Sequence, residues 1–168
     1  MARKAISQGI THLMCTPHHN NGKYNNPADK IIREVANLQG ELDKRGLDLT
    51  LLEGQEVRLT EFLLTAIQRD EILFTDLDNT YLLIEFPTNE VPIYAEQVFY
   101  QLLNRGQVPV IVHPERNAVF REEPNRLVSF LEMGTLTQLT APSIVGIFGS
   151  DIQQTARQML EHNMLYMV

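Results

Sequence analysis

Residues 108–116 read VPVIVHPER, and this stretch decides the predicted fold. Its first five residues are apolar and rich in β-branched valine and isoleucine, which predicts a strand covered on both faces. Ionisable side chains follow at once as His113, Glu115 and Arg116. A buried strand that ends abruptly in such residues indicates that its carboxyl end carries chemistry.

The same pattern occurs earlier in the chain. Apolar runs predict strands that precede histidine or glutamate, and helical periodicity predicts the segments between them. The predicted strands are 10–16, 49–52, 81–84, 108–112 and 136–139, and the predicted helices are 27–46, 60–69, 93–104, 124–133 and 150–163. This alternation predicts an α/β fold with a parallel sheet. No Gly-rich phosphate loop follows any of these strands, so we expect a barrel rather than a nucleotide-binding fold.

Length and composition indicate an ordinary globular domain. The chain has 168 residues, 43% of them hydrophobic, and a formal net charge of −7 that disfavours binding to nucleic acid. No apolar run is long enough to span a bilayer and no secretory signal opens the chain, so we expect a single cytoplasmic domain over residues 1–168. The one cysteine, Cys15, excludes an internal disulfide and a cysteine-based zinc site.

Potential metal ligands follow four strands. They are His18, with His19 beside it; Glu56, with Glu53 nearby; Glu85; and His113. In a parallel barrel the carboxyl ends of the strands share one face, so these residues would converge. Each alone is compatible with a surface or core residue, but the repeated position favours a shared site. Imidazole and carboxylate ligands without thiolate suit Mn, Fe or Zn, and carboxylates can bridge two divalent ions.

Arg116, three residues after His113, presents a planar fork of donors that suits two phosphate oxygens. An ion pair with Glu115 or Glu85 is an equally good interpretation of this arginine, and both can hold in an unliganded site. Glu115 itself is interpreted as structural.

Four ordered motifs carry a family resemblance: TPHH at 16–19, GQE at 54–56, LIEF at 83–86 and VHPER at 112–116. They resemble the PHP (polymerase and histidinol phosphatase) superfamily, and within it the manganese-dependent tyrosine phosphatases of bacterial capsule and exopolysaccharide synthesis. The resemblance implies a distorted TIM-like (β/α)7 barrel with two or three metal ions. It makes His18, Glu56, Glu85 and His113 metal ligands, and Arg116 the residue that binds the substrate phosphate.

The resemblance also implies a reaction and a partner. The reaction is hydrolysis of a phosphomonoester by hydroxide that the metal activates, and the substrate is a phosphotyrosine protein, an autophosphorylating bacterial tyrosine kinase. Neither the His-x-His motif that opens the family pattern nor the Asp-x-His motif that closes it occurs here. We therefore expect the chain to be the central portion of a barrel that is incomplete at both ends.

Other functions are compatible with the same residues. One is a PHP phosphoesterase that acts on a small metabolite such as histidinol phosphate, and another is an inactive fragment. A cysteine phosphatase fits less well, because such enzymes carry Cys-x5-Arg and the residue six positions after Cys15 is Asn21.

Overall fold

The structure, a computed structural model, describes residues 1–168. Its helices are α1 (Ala2–Ser7), α2 (Ala28–Lys44), α3 (Leu63–Gln68), α4 (Ala95–Leu103), α5 (Ala118–Glu122), α6 (Pro124–Glu132), α7 (Ala141–Ile144) and α8 (Ser150–Glu161). Its strands are β1 (His12–Cys15), β2 (His18–His19), β3 (Thr50–Glu53), β4 (Glu56–Arg58), β5 (Tyr81–Glu85), β6 (Val108–Val112) and β7 (Leu136–Gln138), and Pro114–Arg116 form one turn of 3-10 helix. None of the helices combines the length and apolarity needed to span a bilayer.

All strand pairs are parallel, which confirms the predicted α/β class. Strands β2, β4, β5, β6 and β7 form one sheet in that order, and β1 pairs with β3 in a second, two-stranded sheet. The sequence predicts a barrel that is incomplete at both ends, and no closed barrel is seen in the structure. Closure requires every edge strand to find a partner, whereas the outer edge of β7 makes a single bridge, from Gln138 to Met167.

The two sheets meet at a break around Pro17. This residue has no backbone N–H to donate to a ladder, but its carbonyl still accepts a hydrogen bond from the N–H of Glu56 at 3.1 Å. Just before the break, the N–H of Gly54 donates to the carbonyl of Cys15 at 3.0 Å. These two hydrogen bonds continue the parallel pairing on both sides of the proline, so His18 and Glu56 lie side by side.

Alternation along the strands separates two surfaces of the large sheet. The helix-covered face carries Val57, Leu82, Ile84 and Ile111, which pack in one cluster with residues of α3, α4, α6 and α8. The opposite face, called the site face here, carries His18 paired with Glu56 and Arg58 paired with Glu85. Because successive side chains of a strand point to opposite faces, the same short strands supply both the core and the charged residues.

Four phenylalanines form the centre of the core on the helix-covered side. Phe86, Phe99, Phe120 and Phe130 contact one another edge to face, with ring centroids 5.1 to 6.1 Å apart. The rings come from the end of β5 and from α4, α5 and α6. They therefore fix the positions of these helices behind the strands that carry the site.

The turn before β5 is held by the Asp76 carboxylate. Its two oxygens accept from the N–H of Thr80 at 3.0 Å, and Oδ1 also accepts from the N–H of Tyr81 at 2.8 Å. Partial burial raises the pKa of Asp76, but these hydrogen bonds outweigh burial, so the net pKa lies below its ordinary value. The charged carboxylate is thus the form that stabilises the turn.

We expect Asp76→Asn to lower the free energy of unfolding by about 1 kcal/mol at neutral pH, because an amide accepts these bonds less well. A lowered folded-state pKa contributes stability above the unfolded-state value of about 3.9, and that contribution is lost as pH falls through the folded-state pKa. The difference between the two proteins should therefore shrink below about pH 4 in urea titrations. Asp78→Asn is the control, since its carboxylate lies in the same turn. An equal effect of both variants at neutral pH would contradict the assignment.

Candidate metal centre

His18 and Glu56 are the first residues of β2 and β4, and the site begins with them. The register of the two strands places them opposite each other on the site face. Nδ1 of His18 lies 3.0 Å from Oε1 of Glu56 and 3.8 Å from Oε2 of Glu85. The neighbouring strands therefore bring one imidazole and two carboxylates together.

Glu85, the last residue of β5, is buried, and Arg58 supports it from β4. Nη2 of Arg58 lies 3.0 Å from Oε2 of Glu85, and Nε donates to the same oxygen at 3.2 Å. The guanidinium thus fixes the orientation of the carboxylate. Sequence analysis missed Arg58 because it ended the strand before Gly54. Arg58 shares the face of Glu56 because it lies two positions later in the same strand, but a strand of three residues is too short to be identified from its sequence.

His113 reaches the site through an uncommon backbone conformation. It follows β6 with φ 38° and ψ 51°, the left-handed region that few residues other than glycine adopt. Its Nε2 lies 2.8 Å from Oε1 of Glu56 and 3.8 Å from Oε1 of Glu85. Left-handed backbone at a non-glycine residue is concentrated at functional sites, and here it accompanies the approach of the second imidazole to both carboxylates.

The donor set fits a divalent cation. Potential ligand atoms of His18, Glu56 and Glu85 lie within 4.8 Å of one another, and His113 contacts both carboxylates. Nδ1 of His18 is buried without a hydrogen bond of acceptable geometry, although Glu56 is near. A buried polar atom of this kind calls for a partner. Two imidazoles and two carboxylates suit Mn, Fe or Zn, as expected from the sequence.

The neighbouring candidates take other positions. His19 is buried next to the helix-covered face, where its Nδ1 accepts from the N–H of Asn26 at 3.2 Å. Burial lowers the pKa of His19 and outweighs the nearby Glu71 carboxylate, which raises it. The net effect favours the neutral ring. Glu53 is exposed on β3. Neither residue belongs to the cluster of His18, Glu56 and Glu85.

Arg116 lies beside the cluster without joining it. It lines a cavity of about 150 Å³ together with Glu85, His113, Phe86 and Ile152. Its guanidinium contacts the ring of Phe148, with Cζ 5.2 Å from the ring centroid. The ion pair with Glu85 that sequence analysis left open is made by Arg58 instead. The guanidinium of Arg116 thus lies next to the metal-ligand candidates in one cavity, where an anionic group could contact both the guanidinium and a bound metal.

Glu115 is fully buried and links two loops. Its Oε1 accepts from the hydroxyl of Ser143 at 2.6 Å and from the N–H of Thr140 at 3.2 Å. This carboxylate therefore attaches the turn after β6 to the start of α7, in agreement with the structural role predicted for it.

The profile of the CpsB/CapC family of capsular polysaccharide synthesis matches residues 1–168. The chain belongs to this family. It is 40% identical over 168 residues to the tyrosine-protein phosphatase YwqE of Bacillus subtilis. It is 34% identical over the same length to the putative tyrosine-protein phosphatase CapC of Staphylococcus aureus. The resemblance to capsule-associated bacterial tyrosine phosphatases is thus confirmed.

A solved structure of the CpsB/CapC family has the same fold. One chain from the crystallographic work on YwqE of Bacillus subtilis and CpsB of Streptococcus pneumoniae, described as metal-dependent tyrosine phosphatases, superposes with a TM-score of 0.92 at 39% identity. The match covers all of the present chain and 68% of that chain. The present chain spans 66% of the length of YwqE and of CapC, just under two thirds.

Proposed function

We propose that the protein is a metal-dependent tyrosine-protein phosphatase. The observation that carries the proposal is the convergence of His18, Glu56, Glu85 and His113 beside Arg116, in a chain of the CpsB/CapC family. Its named relatives YwqE and CpsB are tyrosine-protein phosphatases. Metal ligands next to a guanidinium suit hydrolysis of a phosphate monoester, because both stabilise charge on phosphoryl oxygens.

The proposal includes the finer assignments made from the sequence. His18, Glu56, Glu85 and His113 hold the metal, which is Mn²⁺ with Fe and Zn as alternatives, and Arg116 binds the phosphate. The substrate is a tyrosine-phosphorylated protein in the cytoplasm, an autophosphorylating kinase of capsule synthesis. Residues 1–168 form one PHP-like domain and contribute the central part of a distorted (β/α)7 barrel. The family profile supports a role in capsule synthesis, and the clustered ligand atoms of His18, Glu56 and Glu85 support a bound metal.

Each residue has a distinct part in the proposed reaction. A bound divalent cation supplies Lewis acidity, which activates water and neutralises charge on phosphoryl oxygens. The fork of N–H groups of Arg116 holds two of those oxygens and stabilises the charge that spreads over them in the transition state. Arg58 orients the carboxylate of Glu85 from 3.0 Å. Phe86 and Ile111 line the cavity and limit the access of bulk water to it.

Cys15 does not have the properties of a phosphatase nucleophile. Burial raises the pKa of its thiol, and the nearby carboxylate of Glu53 raises that pKa further. A nucleophilic cysteine needs the opposite, a thiolate stabilised by positive groups. The site described above contains no thiol.

The test is hydrolysis of a phosphotyrosine peptide by the full-length protein, with a small alkyl phosphate as the competing substrate. We expect turnover of the peptide to depend on added Mn²⁺, to stop with a chelator and to exceed turnover of the alkyl phosphate. Cys15→Ser should leave kcat/KM within about twofold of the parent. A preference for the alkyl phosphate would identify a small-metabolite phosphoesterase instead. Turnover that survives the chelator, or that is lost in Cys15→Ser while metal stays bound, would contradict the metal-dependent mechanism.

A further inference from the structure

The guanidinium of Arg116 is restrained by an aromatic ring. Its Cζ lies 5.2 Å from the centroid of Phe148, within the distance at which a ring face attracts a cation. A carboxylate partner would neutralise the guanidinium and compete with phosphate for its N–H groups. A ring does neither, so Phe148 holds the side chain while its charge stays available to an anion.

Phe148 lies on a tight turn between α7 and α8. Gly146 and Gly149 have φ values of +81° and +98°, which residues with a side chain rarely adopt. A Cβ at Gly146 would also come within 3.2 Å of the Gln153 side chain, whose amide donates to the carbonyl of Ile144 at 2.9 Å. The backbone conformation of the two glycines and the contacts of Gln153 together fix the position of the Phe148 ring.

The start of this turn is attached to the neighbour of Arg116. Fully buried Glu115 accepts from the hydroxyl of Ser143 and the N–H of Thr140, at the start of α7. The loop that carries Arg116 is therefore joined to the segment that carries Phe148 both through Glu115 and through the contact between guanidinium and ring. Such a double connection holds the distance between ring and guanidinium.

We propose that Phe148 is a positioning residue that orients Arg116 for the phosphate of the substrate. The inference rests on the proposed function, because it assigns the restrained guanidinium to phosphate binding. Phe148 is 42% exposed, so replacing its ring should not disturb the core. The part of the interaction that matters is the π face, which leucine lacks and tyrosine keeps.

The first test measures kcat/KM for a phosphotyrosine peptide with variants of the full-length protein. Phe148→Leu should lose roughly 3- to 30-fold, the range expected for one cation–π contact. Phe148→Tyr should stay within about twofold of the parent. Ile147→Ala is the control, since this neighbour on the same turn is 70% exposed. In an Arg116→Met background, Phe148→Leu should cost much less than in the parent, because methionine has no charge for the ring to attract.

The second test reads the position of Arg116 without any turnover. The Nε–H resonance of Arg116, assigned by its loss in Arg116→Lys, should show a ring-current shift in the parent and in Phe148→Tyr but not in Phe148→Leu. An unchanged resonance in Phe148→Leu would overturn the inference. So would an equal loss of kcat/KM in Phe148→Leu and Phe148→Tyr, or an undiminished cost of Phe148→Leu in the Arg116→Met background. If the parent hydrolyses no phosphotyrosine, the proposed function fails, whereas the resonance still decides whether the ring of Phe148 contacts Arg116.

Discussion

Replacing Glu56 with glutamine is expected to weaken Mn²⁺ binding, and with it kcat/KM for a phosphotyrosine peptide, by about 100-fold or more. Loss of a residue that only orients a metal ligand already lowers metal affinity or activity by about 10- to 100-fold. Glu56 is itself a candidate ligand, so its loss should cost more. Its Oε1 lies 2.8 Å from Nε2 of His113 and 3.0 Å from Nδ1 of His18. Glutamine keeps the shape of the side chain but removes the charge that attracts the cation.

The measurement is a pair of thermal melts, one with Mn²⁺ and one with a chelator. A metal at 100 times its Kd stabilises the folded state by about 2.7 kcal/mol, which raises the Tm of a protein of this size by roughly 5 to 11 °C. Glu56→Gln should lose most of this increase and still unfold cooperatively in the chelator. Glu53→Gln is the matched control, because Glu53 is exposed on β3. A full metal-induced rise in Glu56→Gln would remove Glu56 from the ligand set.

The second large effect is expected in the core. Phe130→Ala should lower the free energy of unfolding by about 3 to 5 kcal/mol, the usual cost of deleting a buried ring. Phe130 is fully buried, and its ring centroid lies 5.1 Å from that of Phe99 and 5.5 Å from that of Phe86. A total stability of about 5 to 15 kcal/mol is typical of a folded domain, so this loss is a large part of it.

Urea titration at neutral pH measures the effect, with Phe62→Ala as the control. Phe62 is 65% exposed, and removal of an exposed ring should change the free energy of unfolding by no more than about 0.5 kcal/mol. Phe130→Leu, which keeps more of the buried volume, should fall between the two alanine variants. If Phe130→Ala and Phe62→Ala cost the same, the four-ring cluster is not the centre of the core.

Most of the candidate site was predictable because the longer strands have unambiguous sequences. Apolar runs such as Tyr81–Ile84 and Val108–Val112 form β5 and β6 almost residue for residue. Parallel pairing then brings the side chains at their carboxyl ends together without any further information. That is why Glu85 and His113 could be selected before the contacts of His113 with Glu85 and Glu56 were known.

The short strands were not predictable in the same way. Strand β4 has three residues and β2 has two, too few to show the alternation that identifies a strand. Both lie in segments whose glycine, proline and polar residues favour a loop, so Arg58 was overlooked. Only the family resemblance, and not the local pattern, separated His18 from His19. Barrel closure depends on pairing between the ends of a sheet, which no local pattern encodes.

The register of β4 limits how this centre can change over evolution. Glu56 and Arg58 lie on the site face, whereas Val57 between them packs in the core. Insertion of a single residue there would place valine among the ligands and drive two charged side chains beneath the helices. An insertion of two residues would preserve both surfaces. Alternate residues of the same strand therefore serve the metal site and the core, so a change of register alters both at once.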